Sequence, residues 1–169
     1  MKMKTFILTF VLIIISLPKN AQAASPKLEG SFVDWNVFSI AAGNDKICWA
    51  LSKPLSKSPK SVNHGDVYFM VSSWKSGSAK EQPSLYAGYE LKTNRTPIAR
   101  IKNKKFKMFA SDNEGFIENN VDERALVSSM RSGATMQVEA VSSRGTKVNY
   151  SFSLKGITAA LKKARTVCR

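Results

Sequence analysis

The feature that most constrains this fold is a stretch of strict alternation in the last third of the chain. Met136, Val138 and Ala140 alternate with Thr135, Gln137 and Glu139; beyond Ser142-Ser143-Arg144-Gly145, residues Val148, Tyr150, Phe152 and Leu154 alternate with Lys147, Asn149, Ser151 and Ser153. Successive side chains of a strand point to opposite faces, so each segment has one apolar and one polar side. Two such segments around a short turn predict an antiparallel hairpin packed on one face only. Gly145 supplies the turn with a residue that tolerates positive φ.

The same period recurs upstream. Phe32–Ala41 and Ile47–Leu51 read as a pair of strands joined through Ala42-Gly43-Asn44-Asp45, and Asp66–Trp74 and Leu85–Leu91 as two more. Lys104–Ala110 and Glu114–Glu118 flank a turn at Ser111-Asp112-Asn113. The Ser-, Lys- and Pro-rich stretch from Leu51 to Asp66 reads as a surface loop. Two helices interrupt the pattern. Asn120 is placed to cap the first, with Glu123 three residues on, and Gly133 to end it; Val121, Ala125, Leu126, Ser129 and Met130 form its apolar side. The second begins near Gly156, and Ile157, Ala160, Leu161, Ala164 and Cys168 make a single helical stripe. The fold class expected is all-β: one antiparallel sandwich- or barrel-like domain with two short helices, one of them C-terminal.

That domain is expected over residues 24–169, because the first 23 residues have the form of an export signal. Met1-Lys2-Met3-Lys4 is positive, Thr5–Leu17 is apolar but short for a bilayer span, and Ala21-Gln22-Ala23 places small residues before a cleavage expected between Ala23 and Ala24. Removing Lys2, Lys4 and Lys19 lowers the formal net charge from +14 to +11. A strongly basic exported protein meets lipid headgroups, lipopolysaccharide, wall polymers and host glycans, whereas nucleic acid is a poor candidate; the alternative is a solvated basic surface that only aids solubility. Cys48 and Cys168 then lie in a compartment that permits disulfides, and an even count reads first as one bridge, with two free thiols or a redox pair as the alternatives. The placement of Cys168 on the apolar stripe of the last helix favours the bridge to the strand carrying Cys48.

A search for catalytic chemistry yields little. The single histidine, His64, stands in an Asn63-His64-Gly65 turn with no nucleophile at a recognisable spacing, and reads as a solvent-exposed turn residue. Asp112, Glu114, Glu118, Asp122 and Glu123 cluster in sequence but lack the spacing of a calcium loop and read as a solvated acidic rim. No cofactor or metal site is expected. The best candidate for an interaction surface is the basic stretch around Phe106, where Lys102, Lys104, Lys105 and Lys107 could contact anionic headgroups at about 1 kcal/mol each. The competing reading is an edge strand that lysines protect from aggregation.

Larger blocks carry a family resemblance. Asp122-Glu123-Arg124-Ala125-Leu126-Val127-Ser128-Ser129-Met130-Arg131-Ser132-Gly133-Ala134-Thr135-Met136-Gln137-Val138, then Ser142–Thr146, then Tyr150–Leu161 and the terminal Cys168 resemble the C-terminal half of the invasion-associated locus B family of exported alphaproteobacterial proteins. Trp35 ahead of Cys48, Tyr68–Ser72 and Gly88-Tyr89 are similar to the family's earlier blocks. Phe38 stands where the resemblance leads one to expect a further Cys. The resemblance implies a β-sandwich-like periplasmic or envelope protein, named for a role in host-cell invasion in some members, and no catalytic residues. The function expected is thus a non-enzymatic exported protein, periplasmic, envelope-associated or secreted, soluble after signal cleavage and in at most peripheral contact with membrane. Its basic face would meet an anionic envelope component or host surface. The alternatives are a glycan- or wall-acting enzyme using carboxylates, and an inhibitor or chaperone-like module acting through a sheet edge.

Overall fold

The computed structural model describes residues 24–169; the expected export signal, with Ala23 on its cleavage junction, falls outside the described residues. The described chain runs β1 (Lys27–Phe32), β2 (Trp35–Ala42), β3 (Asp45–Ser52), β4 (Ser56–Ser58), β5 (Tyr68–Trp74), β6 (Gln82–Tyr86), β7 (Ile98–Ile101), β8 (Lys104–Lys107), β9 (Phe109–Ser111), β10 (Glu114–Phe116), α1 (Asn120–Ser132), β11 (Thr135–Val141), β12 (Lys147–Ser153) and α2 (Ile157–Val167). All strand pairings are antiparallel. They make a seven-stranded sheet, β1-β2-β3-β5-β6-β10-β9, and a five-stranded sheet, β4-β12-β11-β7-β8. The architecture is a sandwich and no barrel closes, because β1 and β9 end one sheet and β4 and β8 the other.

The β11–β12 hairpin has the register the alternation demands: Met136 lies opposite Phe152, Val138 opposite Tyr150 and Ala140 opposite Val148. All six are buried. They meet the inward residues of the other sheet, Trp35 and Val37 on β2, Ala50 on β3, and Phe69 and Val71 on β5, in one core. The Phe69 and Phe152 rings bridge the layers edge to face with centroids 5.7 Å apart, and the Trp35 indole donates to the Ser153 carbonyl at 3.0 Å. A buried indole N–H needs such a partner, and this one also joins the two sheets.

The longer sheet leaves part of its inner face to the helices. Helix α2 packs on β1, β2 and β3. Its stripe of Ile157, Ala160, Leu161, Ala164 and Cys168 is buried throughout, as its spacing predicts. Cys168 is bonded to Cys48 with Cα atoms 5.8 Å apart, so the expected bridge is present. Gly156, at φ 93°, starts the helix where a Cβ would collide with the Phe32 carbonyl.

Several expected boundaries shift. The strand read from Phe32 is two strands: the chain reverses at Val33-Asp34, with Val33 at φ 55°, a conformation a β-branched residue gives no hint of. Strand β7 was hidden because only Ile98, Ala99 and Ile101 mark it, and the polar loop after Leu51 contributes β4, paired to β12. The helix cap is Asn119, whose Oδ1 accepts from the backbone N–H groups of Val121 and Asp122 at 3.1 and 3.0 Å. Of the apolar side expected for α1, Leu126, Ser129 and Met130 are buried, whereas Val121 and Ala125 are exposed and Glu123 and Val127 are buried instead. Gly133 follows α1 in extended geometry; a Cβ there would press on Ile101 and Leu154, so close packing, and not a left-handed cap, requires glycine.

Candidate anion-binding cleft

A cleft of about 640 Å³ opens beside the disulfide, between the two helices and the β5–β6 connection. Three segments bring cations to it: Lys75 and Lys80 from the connection, Arg124 and Arg131 from α1, and Arg165 and Arg169 from the last turn of α2 and its end. Arg124, Val127 and Arg131 are three and seven residues apart, which puts them on one helical face. Arg165 and Cys168, three residues apart at the end of α2, share a face for the same reason, and Arg169 follows the C-cap. Arg131 and Arg165 also lie in last helical turns, where the helix dipole favours positive charge.

The connection is held in place by Asp45 at the β2–β3 turn. The Ser76 hydroxyl donates to Asp45 Oδ2 at 2.6 Å, and the N–H groups of Lys46 and Ser76 donate to Oδ1 at 2.7 and 3.0 Å. These bonds, the Ser76 hydroxyl first, keep the Asp45 carboxyl below the usual carboxylate range. Among the described residues, the one acidic side chain that lines the cleft is Glu81. Its backbone sits at φ 52° and its N–H donates to the Ser73 hydroxyl at 2.9 Å. Its two oxygens accept from Arg131 Nη2 at 2.6 and 2.7 Å, and Arg165 Nε lies 3.6 Å from Oε1. Six cationic side chains and one acidic one therefore line a concave site whose wall also includes Trp74, Val127 and Cys168 of the disulfide.

The lysines singled out in the sequence lie elsewhere. Lys102 occupies the β7–β8 turn at φ 52°, and Lys104, Lys105 and Lys107 are exposed on β8, an edge strand whose Phe106 packs inward opposite Ala99. None of the four lines the cleft.

His64 is not the solvent-exposed turn residue expected: it is buried. Nε2 meets the Pro59 carbonyl at 2.8 Å and Nδ1 meets the Tyr150 hydroxyl at 2.9 Å. A carbonyl only accepts, so in the neutral ring Nε2 carries the proton and Nδ1 accepts from Tyr150, which in turn accepts from Tyr89. Burial pushes the Tyr150 and Tyr89 hydroxyls up, so both remain protonated donors. The polar loop lacks apolar anchors, and this chain fastens it to β12. The acidic cluster is likewise only partly a solvated rim. Glu123 is buried by its helix, and burial raises the carboxyls of both Glu114 and Glu123. Among the described residues no three His, Cys, Asp or Glu side chains are placed to hold a metal ion.

A family model described as invasion associated locus B (IalB) protein matches residues 35–165, from the indole that ties the sheets to the α2 arginine in the cleft. The chain belongs to the invasion-associated locus B family. The match takes in the sandwich core together with α1 and most of α2, and so every lining residue of the cleft except Cys168 and Arg169. No curated protein and no solved structure matches the chain.

The cleft cations escaped the sequence reading because they are scattered over three distant segments. A contiguous run such as the one around Phe106 draws attention; convergence through folding does not. The signals that could have found them were the spacing of Arg124 and Arg131 on one helical face and the arginines flanking a cysteine already assigned to a bridge.

Proposed function

We propose that this member of the invasion-associated locus B family is an exported, non-enzymatic envelope protein that binds an anionic envelope or host surface through its basic face. The observation that carries this reading is the cleft beside the Cys48–Cys168 bridge, which six lysines and arginines from three segments line, two of them, Arg131 and Arg165, meeting Glu81. A basic surface kept only for solubility has no reason to be concave or to draw its charges from three segments. Of the 23 lysines and arginines in residues 24–169, Lys27, Arg100, Arg131 and Arg165 pair with carboxylates among the described residues, which leaves most of the charge available to a partner. The family description names no catalytic activity, and the raised carboxyls of Glu114 and Glu123 are explained by burial alone. The Lys102–Lys107 edge adds positive charge outside the cleft and would act as a secondary contact.

Co-sedimentation with vesicles tests this. The disulfide-bonded protein is expected to bind phosphatidylglycerol-containing vesicles and not neutral phosphatidylcholine vesicles, with binding that falls steeply as salt screens the charges. Binding to both kinds of vesicle, or binding unchanged at high salt, would defeat the electrostatic reading.

A further inference from the structure

We propose that Glu81 is a built-in occupant of the cleft, a carboxylate that stands where a phosphate group of the external ligand binds. The inference rests on the anion-binding reading above and names the chemistry of that ligand: phosphate esters and condensed phosphates.

The argument starts from the Glu81 backbone. A glutamate at φ 52° lies in the left-handed region that residues with a Cβ rarely occupy, and such strain persists only where surrounding structure enforces it. Here the enforcing contacts are the Glu81 N–H bond to the buried Ser73 hydroxyl and the Asp45 bonds that fix the preceding loop. Their combined effect is to aim the Glu81 side chain at Arg131. Both carboxylate oxygens share the single donor Nη2 of that guanidinium, at 2.6 and 2.7 Å. The parallel two-nitrogen fork of an ideal arginine–carboxylate pair is not made, so Arg131 Nη1 and Nε have no bond to Glu81. Arg165 approaches to 3.6 Å, outside hydrogen-bond reach. Glu81 thus engages Arg131 and draws Arg165 near without saturating the donors of either.

Charge sets the class of ligand. Against one carboxylate side chain the cleft is lined by Lys75, Lys80, Arg124, Arg131, Arg165 and Arg169, so its cationic side chains outnumber the acidic one six to one. A monocarboxylate would exchange like for like and leave that surplus almost untouched. A phosphate group brings up to two charges and three acceptor oxygens, which suits two guanidinium groups meeting at one point. When such a group enters, Arg131 and Arg165 turn their unused N–H donors to it and the Glu81 side chain swings out toward solvent. In the unliganded protein Glu81 meanwhile lowers the repulsion among cations that would otherwise splay α1 from α2.

The test is calorimetric titration of the disulfide-bonded protein with sodium tripolyphosphate. It compares wild type, Glu81→Gln and Glu81→Asn; asparagine tolerates the left-handed backbone, so one variant keeps side-chain length and the other relieves strain. Thermal unfolding confirms that each is folded. Removing the competing charge is expected to tighten tripolyphosphate binding about tenfold in both variants, with Arg131→Ala weakening it by a similar factor. Equal or weaker binding by the Glu81 variants, with wild type binding, overturns the occupant role and leaves the cleft as an anion site. No binding by any of them overturns both. A parallel series with vesicles of phosphatidic acid in phosphatidylcholine separates the sources of phosphate. The same gain on vesicles places the group on a lipid headgroup, and a gain confined to tripolyphosphate places it on a soluble or wall-borne anion.

Discussion

Tyr150 lies at the centre of the core hairpin and still carries a polar hydroxyl, and His64 resolves that conflict. Burying an unpartnered hydroxyl costs about 1–3 kcal/mol, so the Tyr89–Tyr150–His64–Pro59 chain satisfies each group in turn and fastens the part of the loop that lies beyond the β4–β12 pairing. Tyr150→Phe keeps the ring contacts with Phe152 and His64 but leaves Nδ1 of a buried imidazole without its donor. The variant is expected to lose about 1–3 kcal/mol of stability, read as a lower urea midpoint with an unchanged slope. An unchanged midpoint would mean that the chain contributes nothing net. Sequence could not forecast this arrangement. His64 and Tyr150 are 86 residues apart, and the flanking Asn63 and Gly65 describe a turn without saying which way the imidazole faces.

At the scale of elements, the two basic features separate by position in the sheets. Strand β8 ends the five-stranded sheet, and an unpaired edge invites another chain to add to it. Lys104, Lys105 and Lys107 make that addition costly, because a second copy would bring its own lysines alongside. Replacing all three with threonine, which keeps strand propensity, is expected to raise light scattering on concentration. Vesicle binding should fall less than it does in Arg131→Ala. A triple variant that stays monodisperse and no longer binds vesicles would instead make β8 the main contact surface. Elements with long periodic signals were legible from residues alone: the β11–β12 hairpin, β2–β3, β5 and the stripe of α2. Their apolar faces are continuous, and burial leaves one solution for each. Short elements such as β4, β7 and β9 carry three or four residues apiece, too few to show a period, and exist because a neighbouring strand offers them a ladder. The cleft belongs to this second kind, since Lys80, Arg131 and Arg165 become neighbours only after the sandwich has formed.

For the molecule as a whole, the Cys48–Cys168 bridge joins a central strand of the larger sheet to the last turn of α2 across 120 residues of sequence. The chain-entropy model values a loop of that length at about 5 kcal/mol, a large share of the roughly 5–15 kcal/mol by which a domain is stable. The apolar stripe of α2 remains when the bridge is removed, because Ile157, Ala160, Leu161 and Ala164 are buried independently of it. What is lost is the tether of the final turn, held otherwise by the Lys46 ammonium on the Val167 carbonyl at 3.0 Å. Arg165 and Arg169 belong to that turn, so the bridge that stabilises the fold also sets the geometry of the cleft. The Cys48→Ala, Cys168→Ala variant is therefore expected to stay folded with a denaturation midpoint lowered in proportion to several kcal/mol. Backbone amides of residues 165–168 should exchange with solvent faster than in the oxidised protein while those of 161–164 change less, and tripolyphosphate binding should weaken together with that fraying. Hydrogen exchange and titration on the same sample check both. If midpoint and exchange match those of the oxidised protein, the bridge is incidental to fold and cleft alike; if stability falls while affinity holds, the last turn keeps its place without the sulfur link.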